Sequence, residues 1–324
     1  MKKKIAIIMG GYSNEYEISL KSGNVVYETL SSEKYDCYRI HIFKNKWFYV
    51  DPDNTEYSIN KNDFSVTINN SKITFDCVFN AIHGSPGEDG LMQAYFELLN
   101  IPQTSCGMYQ AALTFNKRDC LSVLKTYGIK TAASYSLNLG DVIDQGAIIE
   151  KVGLPCFVKA NKAGSSFGIT KVYKKEDLQS AIDVSFKEDD EIIIEEYLDG
   201  TEVSVGVINY KGKTKVLPIT EIVSNNDFFD YKAKYLGESQ EITPARISEE
   251  MASKVMKVAK QVYEILKIEG FSRSEYIFKD GEPHLLEVNT VPGLTKESIL
   301  PQQAAAAGIS LEDLFDNAIE EALK

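Results

Sequence analysis

Residues 284–295, with the sequence HLLEVNTVPGLT, decide how the rest of the chain is interpreted. Residues 285–288 form a short, mostly apolar run that is typical of a β-strand. Side chains alternate between the two faces of a strand, so we expect Glu287 and Asn289 on one face and Leu286 on the other. Carboxylate and amide oxygens are hard ligands that suit Mg²⁺. The stretch therefore predicts a strand that ends in a metal-binding edge.

A second strand is predicted directly upstream, at residues 271–278. The sequence KDGE at residues 279–282 is typical of a tight hairpin turn that joins the two strands. In this hairpin Glu275 can face Glu287, and alternation puts Arg273 on the same face as Glu275. Such a face could be a solvated, salt-bridged surface. We favour a functional face, because the strands are too apolar to carry so many charges without a purpose.

Two glycine-containing segments are suited to bring the backbone close to a ligand. Pro292 ends the last strand, and Gly293 after it leaves room for backbone N–H groups to approach a ligand. The sequence KAGSSFG at residues 162–168 follows a predicted strand at 156–161. Its small residues and hydroxyls could contact phosphate oxygens, although such a loop can also be a plain hairpin. No Gly-Lys-Ser/Thr follows, so it is not a Walker A loop.

Length and composition set outer limits on the class of protein. The 324 residues are enough for two or three domains with ample core, and 44% of them are hydrophobic. The formal charge of −12 argues against nucleic acid as a partner. We expect no membrane span and no signal peptide, because no apolar run is long enough. The five cysteines form no CxxC pair, which fits a reducing cytoplasm and suggests neither zinc nor disulfides.

The first segment alternates between strand and helix patterns. Residues 4–9 are predicted to form a buried parallel strand, because they are continuously apolar after Lys4, and Gly10 and Gly11 make the turn after it. Asn14 and Glu17 have the spacing of a capping box, which predicts a helix from there to about residue 30. A helix N-terminus after a strand is an anion site. The GxGxxG spacing of dinucleotide-binding folds is absent.

The loop HGSPGEDG at residues 83–90 follows another predicted strand, at 76–81. Open α/β sheets bind ligands at the carboxyl ends of their strands, so this loop is a candidate ligand loop. Its histidine, His83, could equally be a packing residue. Further strands are predicted at 37–42, 47–50, 191–195, 203–208 and 216–222, and helices at 111–124, 247–268 and 310–323.

Several features together indicate ATP held between two β layers. Lys117 and Lys159 lie on different elements and could contact phosphates, while the acidic hairpin could hold metals on the other side. The polar segment 224–246 contains four aromatic residues and two lysines, and a long loop of this kind is typical of a lid.

Taken together, the motifs resemble the D-alanine–D-alanine ligases of the ATP-grasp superfamily. The resemblance covers nearly the whole chain and rests on order and spacing, since each motif alone is weak. The motifs are GGYSNEYEIS at 10–19, HGSPGEDG at 83–90, NK at 116–117, VK at 158–159, GSSFG at 164–168, EEYLDGTE at 195–202, DYKAKY at 230–235, RSE at 273–275 and LEVNTVPGLT at 286–295.

The resemblance implies an ATP site. Lys117 and Lys159 would bind the ATP phosphates, Gly164 and Ser166 would belong to the loop that closes over them, and Lys234 would help when the lid closes. Glu195 and Leu198 would contact adenine, and Glu202 would contact the ribose hydroxyls. Two Mg²⁺ or Mn²⁺ ions that bridge phosphate oxygens would be held by Glu275, Glu287 and Asn289.

The resemblance also implies a two-step reaction, in which ATP phosphorylates the carboxylate of one D-alanine and the amine of a second attacks the acyl phosphate. Arg273 and the Gly293 N–H would stabilise the tetrahedral oxyanion. Glu15 would hold the first substrate's ammonium, in a hydrogen-bonded triad with Ser165 and Tyr235. Three residues would border the substrate pockets, with His83 near the first and Ser298 and Ile299 around the second.

Four positions bear on how closely this chain follows the family. Glu275 stands where Asp is usual, which lengthens a metal ligand by one methylene. Phe167 stands where a smaller aliphatic is common, and Ile299 replaces a usual Leu at the second subsite. Relatives that make D-alanyl-D-lactate differ in the lid, so Tyr235 favours a dipeptide product.

The sequence thus predicts an α/β enzyme with a Rossmann-like domain at 1–104 and two ATP-grasp subdomains at 105–190 and 191–324. We expect a cytoplasmic protein that supplies D-alanyl-D-alanine for the cell wall, and family habit suggests a homodimer. Its expected partners are D-alanine and ATP, without nucleic acid or membrane. Two alternatives remain open, another ATP-grasp carboxylate–amine ligase and a nucleotide-binding regulator that has lost catalysis.

Overall fold

The computed structural model of the chain describes residues 2–164, 168–224 and 239–324. In these residues the strands form three β-sheets of seven, four and six strands, with helices packed against them. The α/β class predicted from the sequence is confirmed. Within the described parts, none of the helices has the length and apolar character needed to span a membrane.

The first sheet is built from residues 3–80, in the order β6-β5-β4-β3-β2-β1-β7. Its strands are β1 (Lys3–Gly10), β2 (Tyr35–Ile42), β3 (Trp47–Val50), β4 (Glu56–Asn60), β5 (Ser65–Ile68), β6 (Ser71–Ile73) and β7 (Cys77–Asn80). Strand β1 pairs in parallel with both β2 and β7, whereas β2 to β6 form an antiparallel meander. The apolar run of β1 is completely buried at its centre, because helices cover both faces of the parallel strands.

Helix α1 (Tyr16–Thr29) and helix α2 (Leu91–Leu99) cover opposite faces of this sheet. Gly23 of α1 lies so close to β1 that an added Cβ would come within 2.6 Å of the Met9 side chain. The predicted capping box is wrong, because α1 begins at Tyr16 and Glu15 is its N-cap without a side-chain cap. The Ser13 hydroxyl instead accepts from the Glu15 N–H and closes this turn.

The second sheet has the order β10-β9-β11-β8 and is antiparallel throughout. Its strands are β8 (Ser134–Asn138), β9 (Cys156–Ala160), β10 (Thr170–Val172) and β11 (Glu191–Glu196). Helices α5 (Gln145–Val152) and α6 (Leu178–Ser185) pack on it around a core that includes Ile148, Val158 and Ile194. A short 3₁₀ turn at Lys175–Asp177 precedes α6.

Two helices, α3 (Met108–Phe115) and α4 (Lys117–Thr126), occupy the region where one helix was predicted at residues 111–124. That prediction is wrong at Asn116, which has extended backbone angles (φ −89°, ψ 97°) and begins α4 as its N-cap. The Asn116 carboxamide oxygen accepts from the Asp119 N–H. The break turns Lys117 into the first residue of a helix that packs against the third sheet.

The third sheet contains strands from the last part of the chain. They are β12 (Glu202–Tyr210), β13 (Lys213–Val216), β14 (Thr220–Ser224), β15 (Ser239–Ile242), β16 (Phe271–Lys279) and β17 (Glu282–Asn289). The order is β15-β14-β12-β16-β17, with β13 also pairing with β12. The single strand predicted at residues 216–222 is divided, because the chain leaves β12 after Val216 and rejoins it from Thr220. Helix α7 (Glu249–Ile265) covers this sheet, with Val255, Ala259 and Val262 in its core.

The predicted hairpin at β16–β17 is confirmed, and its turn has the residues that the conformation demands. Asp280 and Gly281 both have positive φ (53° and 74°), as in a type I′ turn. A β-bulge between Glu275 and Tyr276 shifts the register. Leu286 was predicted to share the apolar face, but the bulge leaves it partly exposed.

The chain ends with helices α8 (Ile299–Ala306) and α9 (Leu311–Ala322), which return to the first sheet. Leu300, Leu314 and Phe315 belong to the same core as β1, β7 and α1. The ring of Phe315 lies edge-on to that of Phe79, with centroids 5.5 Å apart. This packing fixes the segment 290–298 between the first and third sheets.

Candidate active site

A cavity of about 120 Å³ lies where the first sheet, helices α3 and α4 and the β16–β17 hairpin meet. Residues from the two ends of the chain contribute to its wall. Its lining comprises Glu15, Ile18, His83, Glu88, Thr114, Phe115, Lys117, Ala163, Gly164, Arg273, Glu287, Val288, Asn289, Thr290 and Gly293. Eight of the predicted site residues therefore line one cavity. They are Glu15, His83, Lys117, Gly164, Arg273, Glu287, Asn289 and Gly293.

The hairpin places its charged residues as alternation predicted. Glu275 pairs with Glu287 across the two strands, and Arg273 pairs with Asn289. Residues directly opposite each other in an antiparallel pair have side chains on the same face. The predicted face of two acids, an amide and an arginine therefore exists, and its Arg273, Glu287 and Asn289 line the cavity.

Each acid on this face has a cationic partner. The Arg273 guanidinium donates to Glu275, and it also donates to the Ser204 hydroxyl at 3.2 Å. Lys117 Nζ lies 3.2 Å from a Glu287 oxygen. Burial on its own would lower the pKa of Arg273, but the carboxylates of Glu275 and Glu287 raise that pKa above its usual value. The arginine is therefore charged at any physiological pH.

The chemistry of the donor set fits a divalent cation that prefers oxygen. Glu275 and Glu287 are paired across the two strands and carry carboxylates on one face, and Asn289 adds an amide oxygen that accepts from the Val291 N–H at 2.9 Å. Across the described ranges, no group of three or more His, Cys, Asp or Glu side chains has metal-site geometry. The two acids and one amide are thus the candidate ligands here, and Lys117 and Arg273 hold their charge in place.

A third ion pair joins two strands of the second sheet. Lys159 on β9 and Glu195 on β11 lie on the same face, with Nζ 2.7 Å from the carboxylate. The other carboxylate oxygen of Glu195 is buried and has no hydrogen-bond partner among the residues that the structure describes. Burial alone would lower the pKa of Lys159, but Glu195, Glu287 and Glu202 raise it. This pair offers one cation and one vacant acceptor to a ligand.

A network of amides holds the two lysine-bearing elements together. The buried Asn161, just after β9, donates to the Asn116 carboxamide oxygen at 2.7 Å and to Glu191 at 2.8 Å. Its own oxygen accepts from the Arg118 N–H at 2.8 Å. Lys117 in turn donates to the Ala163 carbonyl at 2.9 Å. The start of α4 is thereby fixed to the start of the loop at residues 162–168.

Glu15 lies in a cleft that only glycines can form. A Cβ on Gly164 would come within 2.5 Å of a Glu15 carboxylate oxygen, and a Cβ on Gly84 within 3.2 Å of the same oxygen. Glu15 thus reaches the predicted phosphate loop from the first sheet. The remaining members of the predicted triad, Ser165 and Tyr235, lie outside the described residues.

The loop HGSPGEDG supplies two buried side chains to the cavity. His83 is 5% exposed and hydrogen bonds to Ser22 and to the Val291 carbonyl. Glu88 accepts from the Gly84 N–H at 2.6 Å, and burial together with the charge of Glu15 raises the pKa of Glu88 to about 8. Glu88 was not among the predicted site residues, although its place in a glycine-rich loop was a signal.

Other predicted site residues lie outside the wall of this cavity. Ser298 is the N-cap of α8, and a Cβ on Gly293 would come within 2.6 Å of its hydroxyl. Ile299 is buried against Ile222. The adenine and ribose candidates Leu198 and Glu202 lie beside β11 and on β12, and Ser166, Phe167 and Lys234 are outside the described residues.

Comparison with family models gives two matches that together span most of the chain. Residues 4–106 match the model described as D-ala D-ala ligase N-terminus. Residues 123–320 match the model described as D-ala D-ala ligase C-terminus. The sequence is also 71% identical to a D-alanine–D-alanine ligase of Flavobacterium johnsoniae, over 99% of each chain.

Solved structures resemble the whole molecule. A VanG D-Ala:D-Ser ligase from Enterococcus faecalis is 32% identical, with a TM-score of 0.86 over 99% of this chain and 100% of that one. A D-alanine–D-alanine ligase from Bacillus anthracis, solved with ATP, is 30% identical, with a TM-score of 0.80 over 99% of this chain and 97% of that one. The similarity covers all the elements that build the cavity.

Proposed function

The chain belongs to the D-alanine–D-alanine ligase family, and from that membership we propose how its cavity joins two D-alanine molecules. The enzyme is an ATP-dependent ligase that supplies D-alanyl-D-alanine for peptidoglycan synthesis. The observation that carries the residue-level proposal is the meeting of Glu15, Lys117, Arg273 and Glu287 in one cavity.

The ATP phosphates lie between Lys117 and Lys159 in this proposal. Both lysines are held by carboxylates and are largely buried, with exposed side-chain fractions of 14% and 15%. When a triphosphate binds, the two lysines would pair with its phosphate oxygens in place of those carboxylates, because the phosphates carry more charge. Glu195, whose second oxygen lacks a partner among the described residues, would accept from the adenine amino group. Gly164 and Ser166 cover the phosphates, Leu198 packs on the base, Glu202 binds the ribose, and Lys234 joins from the segment 224–246.

Two Mg²⁺ or Mn²⁺ ions would bind at the hairpin face, where Glu275, Glu287 and Asn289 would hold them. Hard oxygen donors of this kind are the ligands that Mg²⁺ prefers. When bound, such ions neutralise phosphate charge and favour attack at phosphorus. The longer side chain of Glu275, relative to Asp, is compatible because a carboxylate can bind through one or two oxygens.

The chemistry proceeds in two balanced steps. A carboxylate oxygen of the first D-alanine attacks the γ-phosphorus, the bond to the β-phosphate oxygen breaks, and ADP leaves. The amine of the second D-alanine then attacks the carbonyl carbon, the carbon–oxygen bond to phosphate breaks, and the proton of the amine passes to the departing phosphate. Arg273 and the Gly293 N–H stabilise the negative oxygen that forms on this carbon.

Substrate positioning follows from the first sheet and the end of β17. Glu15 binds the ammonium group of the first D-alanine, and Ser165 and Tyr235 complete its hydrogen bonds. His83 lies beside the same subsite. Ser298 and Ile299 border the second subsite, where Ser298 lies against Gly293.

A second candidate function is a ligase that accepts a different second substrate. The solved structure with a TM-score of 0.86 is titled a D-Ala:D-Ser ligase, so this fold also suits D-serine. We favour D-alanine because a relative that is 71% identical over 99% of this chain is named a D-alanine–D-alanine ligase. An inactive nucleotide-binding regulator is less well supported, because Arg273, Glu287 and Asn289 are all present and positioned.

Domain limits, assembly and location complete the proposal. We place the domains at 1–104, 105–190 and 191–324. A homodimer through the N-terminal part is supported by the exposed apolar side chains of Leu91 and Leu98 on α2. Location in the cytoplasm is supported by the use of ATP. Light scattering of the purified protein tests the dimer.

The test of function is a substrate panel with the purified protein, ATP and Mg²⁺. Phosphate release and product mass are followed with D-alanine alone, with L-alanine alone, and with D-alanine plus D-serine. We expect D-alanyl-D-alanine as the main product and no release with L-alanine. Equal release with L-alanine, or none with D-alanine, would contradict the proposal, and a mixed dipeptide as the main product would favour the second candidate.

A further inference from the structure

We propose that Ser22 is a positioning residue that ties His83 to the loop presenting the Gly293 N–H. This inference rests on the proposed function, because it assigns a support to the oxyanion donor of that reaction. Ser22 lies on α1 and is completely buried. It does not line the cavity and therefore does not touch substrate.

The hydrogen bonds around His83 fix which ring nitrogen carries the proton. His83 Nδ1 lies 2.8 Å from the Val291 carbonyl oxygen. A carbonyl can only accept, so Nδ1 must donate, and in the neutral ring Nε2 must then accept. The only described group within hydrogen-bonding distance of Nε2 is the Ser22 hydroxyl, at 2.9 Å, which therefore donates to it.

The Ser22 oxygen has a second partner on the same loop. It accepts from the Leu294 N–H at 3.3 Å. His83, in the loop after β7, thus holds the carbonyl of Val291, and Ser22 on α1 holds the N–H of Leu294. These two groups flank Gly293, whose own N–H is the proposed oxyanion donor. Fixing the backbone on both sides of Gly293 sets the direction of that N–H.

Burial keeps the ring of His83 neutral and this arrangement intact. Burial lowers the pKa of His83, and so does Arg273, while Glu15 and the Val291 carbonyl oppose them. Glu88 from the same loop also lies near Glu15, and burial favours its neutral form. A neutral imidazole needs a donor at Nε2, and Ser22 supplies it.

Ser22→Ala tests the role, and Ser19→Ala is the matched control. Ser19 is also completely buried on α1, and its hydroxyl also makes two hydrogen bonds, accepting from the Gly10 N–H at 2.9 Å and donating to the Ala81 carbonyl at 2.7 Å. Neither partner is on the loop that carries Gly293. Both variants lose the same number of hydrogen bonds on the same helix face.

We expect similar losses of melting temperature but different kinetics. In Ser22→Ala, kcat should fall by about tenfold or more, as is common when the support of a functional group is removed, while KM for ATP stays unchanged. In Ser19→Ala, kcat should stay within about twofold of wild type. Equal effects of the two variants on kcat, or no effect of Ser22→Ala, would overturn the proposal.

A spectroscopic measurement tests the hydrogen bonds even without turnover. The chain has three histidines, so the ¹⁵N signals of the His83 ring can be assigned with a His83→Gln variant. Wild-type protein should show a protonated Nδ1 and an accepting Nε2 at pH 7, and Ser22→Ala should shift the Nε2 signal. A protonated Nε2 in wild type would refute the arrangement. Absence of ligase activity together with the expected spectrum would contradict the proposed function and not the hydrogen bonds.

Discussion

Fixed charges of opposite sign face one another in the cavity, and each is buried enough to need its partner. Glu287 meets Lys117, and Glu275 meets Arg273. When a charged ligand binds, each of these groups replaces its protein partner by a charge of the ligand. The groups are already partly removed from water, so binding adds little further desolvation cost. At the level of single residues, this exchange explains why an ATP site can be assembled before ATP arrives.

Glu287→Gln should lower kcat by about a hundredfold or more, because a neutral amide neither pairs with Lys117 nor holds a cation as strongly. Its melting temperature should stay close to that of wild type, since Glu287 is on the cavity wall. Glu297→Gln, on an exposed position of the loop before α8, is the control and should keep wild-type kinetics. Wild-type turnover in Glu287→Gln would contradict the metal assignment.

Glu88 should make stability depend on pH. Its pKa is raised from 4.5 to about 8 by burial and by Glu15, so between these values the folded chain keeps a proton that the unfolded chain has lost. Stability therefore falls as pH rises from 4.5 to about 8. The melting temperature of wild type should drop more over this range than that of Glu88→Gln, whose amide is neutral throughout. Parallel curves for the two proteins would rule out a protonated Glu88.

Gly164→Ala should lower kcat/KM for D-alanine by about tenfold or more. The added methyl would come within 2.5 Å of a Glu15 oxygen and push that carboxylate from its place. Gly146→Ala on α5 is the control, since its methyl would meet only an exposed Asp144 oxygen, at 3.2 Å. If Gly164→Ala is as active as the control, Glu15 does not position the substrate.

The residue types of the site could be predicted from the sequence, but their environments could not. Alternation along a strand puts Glu275, Glu287 and Asn289 on one face, and that needs only local geometry. The raised pKa of Glu88 comes from burial beside Glu15, seventy-three positions earlier in the chain. Such a shift is a property of the packed molecule, which no local pattern contains.

Among the secondary-structure elements, the break between α3 and α4 matters most for the site. Asn116 ends one helix and caps the next, so Lys117 becomes the first residue of α4 and reaches Glu287. The sequence predicted one helix over residues 111–124, and neither proline nor glycine stands at the break to mark it. The Asn116 oxygen that caps α4 also accepts from Asn161, which lies just after β9.

Asn116→Ala should destabilise the protein by about 1–2 kcal/mol and raise KM for ATP by about tenfold, because α4 loses its cap and its tie to β9. The control is Asp144→Ala, which removes the side-chain cap of α5 on the outside of the second sheet. It should cost about 1 kcal/mol and leave KM for ATP unchanged. Urea unfolding and steady-state kinetics measure the two effects. The same KM in both variants would show that the cap does not position Lys117.

The hairpin shows both the reach and the limit of strand patterns. Its Asp-Gly turn and the pairing of Glu275 with Glu287 could be predicted because both follow from short-range rules. The bulge after Glu275 could not be predicted, because an extra residue in one strand does not change the alternation of apolar and polar residues in the other strand. Its effect is visible at Leu286, which is partly exposed.

For the molecule as a whole, the return of the last two helices to the first sheet is the arrangement that builds the cavity. Leu314 and Phe315 share a core with Ile5 and Ile7, so the segment with Gly293 is held against α1. The sequence predicted the helix at the C-terminus but not its partner. An apolar face in the sequence shows that a helix packs against another element, but only the folded structure shows which element that is.

The central claim is that ATP activates the carboxylate of a D-alanine in this cavity, and isotope transfer tests it most directly. The enzyme is incubated with ATP, Mg²⁺ and D-alanine that carries ¹⁸O in both carboxylate oxygens, and the released phosphate is analysed by mass. An acyl phosphate intermediate requires that one ¹⁸O leave with each phosphate. We predict one ¹⁸O per phosphate, and phosphate without ¹⁸O would contradict the account.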